Sequence, residues 1–495
     1  MLKRMMTGVL VMALMLGLAG IAAAAEPYAL DDSQTLNEYP DLVLDGGTVT
    51  VEADGNGVYT MPDDRGLDLG ANWLRTYRFV SGDPRYDIQL NLGGGDLTGT
   101  GSQLPDTHPP YRYSCPDFDV SLSTFLSPDY NAKVGAGHID IQNVRDISTA
   151  AMVTGTDGRD VSQGDHLPGG DITIGSEGAP ARHIRVDRFD LRSVDKGEGG
   201  DLTIYSSGNV FVEDAGGTRG DIDVRSHYRH SGRIQVFHSG EFRAQNVYGS
   251  TRGGGVVNAV SRSITFDGDA LGFGPSGSFD VAGSIDNQML RTNWQNPSEP
   301  VTITGYTDVH IGGDILTRHH GTDRAGDVNI TGITGDITIG GVVDARGTTS
   351  ARFGNLTLES SGGTITLGAG LDLDKVRYAS LNSGSGVSYI FGALDGFYDL
   401  QTDPMPTEGD GTYESPFVID QDLLRVPEGQ YVYYELGNPT NWGLGGFVWA
   451  LADLDGNYGQ GGLLMVEPMV VPIPEPAGLS LLGMALLGLK RKRRR

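Results

Sequence analysis

The chain has 495 residues, with 36 Lys and Arg against 63 Asp and Glu for a net charge of −27, and it holds 75 glycines but one cysteine, Cys115. So acidic a surface repels nucleic acid and anionic lipid, which argues against both as partners. One cysteine excludes an internal disulfide framework, so stability has to come from a buried core, and glycine at about twice its ~7% average without collagen spacing means many tight corners between short strands.

Residues 1–25 combine Lys3 and Arg4, an apolar run from Val9 to Ile21, and the small residues Ala22 to Ala25. The run is shorter than the ~20 residues of a spanning helix. This reads as a secretory signal peptide cut after Ala23-x-Ala25, with Glu26 first in the mature chain, which makes the export machinery a partner. Residues 26–136 hold strand signals at Val49–Val51 and Ile88–Leu92 and turns at Pro105, Pro109 and Pro110. They read as an N-terminal β-rich capping region.

Over residues 137–390 one pattern dominates: glycine, any residue, aliphatic, any residue, aliphatic. Counting one earlier copy at Gly47, it begins at Gly137, Gly170, Gly200, Gly208, Gly220, Gly232, Gly326, Gly335, Gly354 and Gly363. Period-two alternation buries the aliphatic pair and turns Asp, Thr or Arg outward, as in a half-buried strand. The glycine is expected to supply a strained corner, and an Asp after it to bond its own local backbone. Pairs of motifs span about 20 residues, which predicts coils of that size, some eleven to thirteen of them in residues 137–390. Alternation continues without glycine through His183–Asp187 and Phe189–Arg192.

These Gly-Asp-Ile-Thr-Ile copies resemble the right-handed parallel β-helix of filamentous-haemagglutinin-like and autotransporter-type surface proteins. The expected fold is therefore all-β, a β-solenoid with N- and C-terminal caps. The rival, a string of immunoglobulin-like sandwiches, wants longer strands at an even spacing of about 8 to 12 residues. Residues 391–465, with aromatic strands at Tyr431–Glu435 and Phe447–Leu451, read as the C-terminal cap, and 466–473 as a Pro-rich tether.

The chain ends with Pro474-Glu475-Pro476, an apolar helix over 477–489, and the cations Lys490, Arg491, Lys492, Arg493, Arg494 and Arg495. Clustered cations stay on the cytoplasmic side, so the preceding chain faces outward. Thirteen residues cover ~20 Å of a ~30 Å hydrocarbon core, a marginal span. This order resembles the PEP-CTERM sorting signal, which in its family is recognised by an exosortase, a membrane cysteine transpeptidase-like enzyme. The resemblance implies an exosortase-like partner, transient inner-membrane insertion, and delivery to the cell surface or extracellular matrix.

For chemistry, the candidate groups are Asp187, Arg188 and Asp190; His227, Tyr228, Arg229 and His230; and His319 and His320. Each group equally suits a solvated strand face or corner, so no catalytic residue and no metal ligand is assigned. Gly93-Gly94-Gly95-Asp96-Leu97 resembles one copy of a calcium-binding nonapeptide repeat without its full spacing, and structural Ca²⁺ is the only cofactor weighed. The expectation is a non-catalytic surface or matrix protein associated with exopolysaccharide. The alternative is a polysaccharide lyase or glycoside hydrolase of β-helix type, which needs a basic residue and two acids within a few ångströms.

Overall fold

The structure, a computed structural model, describes residues 26–390 apart from 37–39, 77–85, 105–117, 125–135, 156–167, 194–196, 252–258, 273–276, 291–295, 350–351, 373–374, 385–386, and the side chains of a few residues after 371. Beyond 390 it describes the backbone of short strands only. The signal segment, Cys115, the tether after Val466, the apolar segment 477–489 and the sorting tail lie outside the described residues.

Three long parallel sheets make up the stack, the third ending at Val343–Asp344 and the other two continuing past residue 380, and successive coils visit them in the same order. In the first sheet the strands at Ile88, Ile139, Ile172, Leu202, Ile234 and Ile264 stack in register. The second sheet stacks Ile147, Ile184 and Val210, followed by Phe242, Phe279, Val309, Ile337 and Ile365. The third stacks Met152, Phe189, Ile222, Val247, Ile285, Ile315 and Val343. All these side chains point inward into one continuous core reaching from Tyr28 to Leu381. Among the described residues there is no α-helix and no helix long and apolar enough to cross a membrane. The fold is a parallel β-solenoid, and antiparallel sandwiches do not fit it.

Three expectations need correcting. A coil takes 30 to 33 residues between Ile139 and Ile264, and 27 to 28 between Val301 and Leu356, not about 20. Paired motifs mark only two of a coil's three strands, so nine first-sheet strands, not eleven to thirteen, lie between Ile139 and Ser383. Nor does the stack begin at residue 137. Tyr28 already pairs in parallel with Leu67, and Leu67 with Leu97, so the segment read as a cap contains coils. What closes the core there is smaller: an antiparallel hairpin of Leu42–Leu44 and Val49–Val51, with Leu42 and Leu44 fully buried in the common core. Its turn carries the Gly47 motif.

The third correction concerns the motif glycines. Apart from Gly47, none of them has a positive φ. They are small because coils meet there: a Cβ on Gly170 would lie 1.7 Å from the Gly137 carbonyl oxygen, on Gly200 1.9 Å from that of Gly170, and on Gly232 1.8 Å from that of Gly200. The residue after the glycine does not bond its own backbone either. The Asp171 carboxylate accepts the Asp201 N–H at 2.8 Å, and Asp201 accepts the Arg233 N–H at 2.8 Å, one coil on each time. His138 Nδ1 does the same for the Asp171 N–H, and Asp308 and Asp336 serve Asp336 and Thr364 in the second sheet. A side chain of each coil thus satisfies backbone of the next, at about 1 kcal/mol net per bond.

After Ile390 the pairing changes. Val387–Ile390 pairs antiparallel with Phe417–Asp420, and Leu463–Val466 joins the first sheet in parallel while pairing antiparallel with Phe447–Ala450.

Candidate functional site

Third-sheet strands are two to four residues long, yet their outer face carries a column of charged side chains. With Phe189, Ile222 and Val343 in the core, Asp190, Asp223 and Asp344 point outward, in register with Tyr248, Asp286 and Leu316. Two residues on, hence on the same face, stand Arg192, Arg225 and Arg346. Arg225 grips Asp223 at 2.6 Å, Arg346 grips Asp344 at 2.6 Å with Arg318 adding a contact at 2.9 Å, and Arg192 reaches Asp190 at 3.2 Å. Arg225 also lies 4.5 Å over the Tyr248 ring.

Although they face outward, Asp190 and Asp344 are each 3% exposed. Towards the N-terminus the column becomes apolar: Val153, in register with Asp190, belongs to a small outer core with Trp73, Leu104, Val120 and Ala151. Phe118 packs against that core and under Arg188, whose guanidinium is 4.8 Å from its ring. Burial accordingly pushes the Asp190 carboxyl up to about 6; Arg192 pulls it down and the neighbouring Asp223 pushes it up. Asp187, at the bend before this strand, also rises to about 6 through burial, then through Asp214 and Asp119. Arg188 is tied to Asp221 at 2.6 Å.

The next corner, where chain passes from the third sheet back to the first, collects a second set. Arg262 forks between Glu198 at 2.9 Å and Asp201 at 3.3 Å, Glu299 lies 3.6 Å from Arg233, and His230 Nε2 stands 4.0 Å from Glu198. His230 Nδ1 accepts the Val260 N–H at 3.1 Å. Its ring is therefore neutral with the proton on Nε2, and burial lowers its pKa while Glu198 opposes that.

The candidate residues read from the sequence thus share one flank but not one cleft. Asp190 and His230 sit on neighbouring coils. His227 and Arg229 belong to the same corner as His230, where the His227 N–H donates to the Ser193 carbonyl and the Arg229 N–H to Ser226 Oγ. The Tyr228 N–H also donates to Ser226 Oγ, at 3.2 Å. His319 occupies the equivalent corner three coils further on, ~14 Å away at one coil spacing each. It is 1% exposed, donates from Nε2 to the Asn296 carbonyl and accepts the Gly321 N–H on Nδ1, a structural histidine with both nitrogens used. His320 lies outside the core, and burial lowers its pKa with Arg318 assisting. Asp96, weighed for calcium, is held by both arms of Arg145 at 2.7 Å. Among the described residues, no three His, Cys, Asp or Glu side chains converge as a cation site.

Asp223, Arg225, Glu198 and Arg262 were not among the sequence candidates. A signal for the first two exists: Asp190-Leu-Arg192-Ser193 recurs as Asp223-Val-Arg225-Ser226, and Asp344-Ala-Arg346 repeats its first three positions. Compared with known proteins, the chain matches no family model, and no curated protein or solved structure matches it significantly.

Proposed function

We propose that this protein is an exported, non-catalytic component of the cell surface or extracellular matrix, delivered by its C-terminal sorting signal and associated with exopolysaccharide. The observation that carries this is the union of two targeting signals, at Ala23–Glu26 and Pro474–Arg495, with a rod that turns polar side chains outward along three continuous sheets. On this reading the coils wind right-handed, as parallel crossovers do. The strands after 390 close the C-terminal end, and the 477–489 helix enters the inner membrane until an exosortase-like enzyme acts on Pro474–Pro476. The Asp–Arg column supports a scaffold role, because Asp190, Asp223 and Asp344 are each already paired with a guanidinium two residues on. The test is cell fractionation after Arg491, Arg493, Arg494 and Arg495 are replaced by glutamine. The variant should leave the surface fraction, and unchanged fractionation overturns the sorting reading.

One observation favours the alternative. Glu198 and Asp201 both hold Arg262, and His230 stands 4.0 Å from Glu198, within the few ångströms that a glycan-cleaving site needs, while burial pushes the Asp190 carboxyl on the neighbouring coil up to about 6. Release of soluble sugar from a polysaccharide by the purified protein, abolished by Glu198→Gln with folding intact, replaces the scaffold reading with a lyase or hydrolase.

A further inference from the structure

The outward side chains of the second and third sheets are largely committed to one another. In the second sheet Arg185 reaches Glu213 at 3.1 Å, Arg243 reaches Glu241 at 2.7 Å, and Asp280 takes Arg219 and His310, each at 2.9 Å. The third sheet carries the Asp–Arg column. The first sheet is different. At its outward position stand Thr203, Gln235, Thr265, Thr302, Asn329 and Thr357, in unbroken register over six successive coils. Each lies between two fully buried residues, as Thr302 does between Val301 and Ile303, and is itself half-buried. Among the described residues none of the six side chains has a hydrogen-bond or ion-pair partner, although four hydroxyls and two carboxamides supply donors and acceptors alike.

The row is straight and narrow. Five coil spacings of ~4.8 Å make it ~24 Å long, and the next outward residue along each strand is two positions or ~7 Å away. Acids stand around it but not in it. Asp201 and Asp327, two residues before Thr203 and Asn329, are held by Arg262 and Arg324, while Asp267 and Glu359 lie two residues beyond Thr265 and Thr357. Asp140 is in register two coils before Thr203, and Glu177 is on the turn that follows Ile174.

We propose that this row binds a neutral glycan chain laid along the rod axis, its hydroxyls meeting one threonine or carboxamide per coil. Sugar hydroxyls both donate and accept, which matches what the row leaves unused. The flanking carboxylates can accept from such hydroxyls but repel uronate or sulfate groups, as does the net charge of −27. A second copy of the chain, or any globular protein, is opposed by area: a strip of ~24 Å by ~7 Å gives roughly 170 Å² a side, against about 800 Å² per partner in a stable interface. An extended peptide pairs through its main chain with a strand edge, whereas this row is the face of a sheet. A partner that is itself long, narrow and uncharged keeps its contacts over successive coils. This assignment rests on the exopolysaccharide reading and sharpens it, naming the face, the class of polymer and the direction in which it lies.

Affinity electrophoresis of the full-length protein through gels containing hydroxyethylcellulose, dextran, alginate or the producing cell's own matrix polysaccharide tests it, alongside sedimentation of the protein alone. A neutral polymer should retard the protein and alginate should not. Thr265→Val combined with Thr302→Val removes two adjacent hydroxyls while keeping side-chain shape and strand preference, and should weaken retardation about tenfold with the unfolding midpoint unchanged. Thr338→Val with Thr366→Val, adjacent on the second sheet, should stay within about twofold of the parent. Equal retardation of the parent and the first-sheet variant overturns the row while leaving the exopolysaccharide reading standing. Retardation by a charged polymer alone overturns the neutral class. Self-association of the parent that the first-sheet variant loses assigns the row to a second copy and overturns the glycan. If no polymer in the set retards the parent protein, the exopolysaccharide reading fails and the row with it.

Discussion

Adding one methyl group at Gly200 should force two coils apart. Its Cβ would stand 1.9 Å from the Gly170 carbonyl oxygen and 2.6 Å from the Gly170 carbonyl carbon, so relief needs more than 1 Å of movement in a ~4.8 Å coil spacing. That movement stretches the Leu202–Ile172 pairing and the 2.8 Å bond from the Asp201 N–H to Asp171. Overpacking costs about 1–3 kcal/mol and each weakened bond about 1 kcal/mol, while alanine's stiffer unfolded chain returns only about 0.4–1 kcal/mol. The net loss for Gly200→Ala is about 3 kcal/mol. Two controls separate crowding from backbone conformation. Gly217 has a φ of +84° and open space around it, so Gly217→Ala should cost about 1–2 kcal/mol from strain alone. Gly55 has neither constraint, and Gly55→Ala should be neutral or stabilise by up to about 1 kcal/mol. Urea unfolding followed by circular dichroism ranks the three, and amide exchange at Ile172 and Leu202 locates the damage. If Gly200→Ala unfolds with the parent protein while Gly217→Ala does not, the stacked-glycine account is wrong.

The core should reject charge: Ile172→Asp places an unpaired carboxylate at a fully buried site and should cost several kcal/mol by the same unfolding assay. His238 is buried against the Tyr306 hydroxyl at 2.7 Å, and burial takes its pKa down to about 4. The unfolded chain binds that proton below about pH 6.5 and the folded one does not until about pH 4, so stability falls by about 3 kcal/mol as pH drops across that window; His238→Gln should remove the fall. Asp190 acts oppositely, because a folded pKa raised to about 6 gives stability that is full below about pH 4 and lost as pH rises through 6. Asp190→Asn should therefore gain stability relative to the parent at pH 7 and match it near pH 4, measured by urea midpoints at both values. Intact mass of the secreted form should begin at Glu26, and a species retaining Met1–Ala25 would refute signal cleavage.

Much of the fold was legible because its energetics are local to each strand. All eleven Gly-x-aliphatic-x-aliphatic copies precede described strands, six of them in the first sheet, and the alternation Ile172-Thr173-Ile174 is the burial pattern found there. Coil length was not legible, because third-sheet strands such as Phe189–Asp190 are too short to show a period and mostly lack the glycine. The first coils escaped notice for a related reason: Ile88 is preceded at the glycine position by Tyr86, so its strand carries no motif. As for the site, the Asp-aliphatic-Arg spacing places both charges on one face of a strand and can be read directly. The Glu198–Arg262 contact spans 64 residues and two coils. Only the stacking register joins its partners, and that register is set by corners whose lengths vary from coil to coil.

The side-chain ladders also give the rod a polarity. Asp171, Asp201, Asp308 and Asp336 each hold an acceptor towards the following coil. A stack that ends at one of these four residues therefore presents a carboxylate at its growing end, ready for an amide of the next turn of chain, and can serve as its template. Two rods meeting growing end to growing end would set carboxylate against carboxylate; only a head-to-tail meeting could match them. The Leu42–Val51 hairpin lies over the starting end of the core, and with it in place that end is closed to the one orientation in which open strands would polymerise.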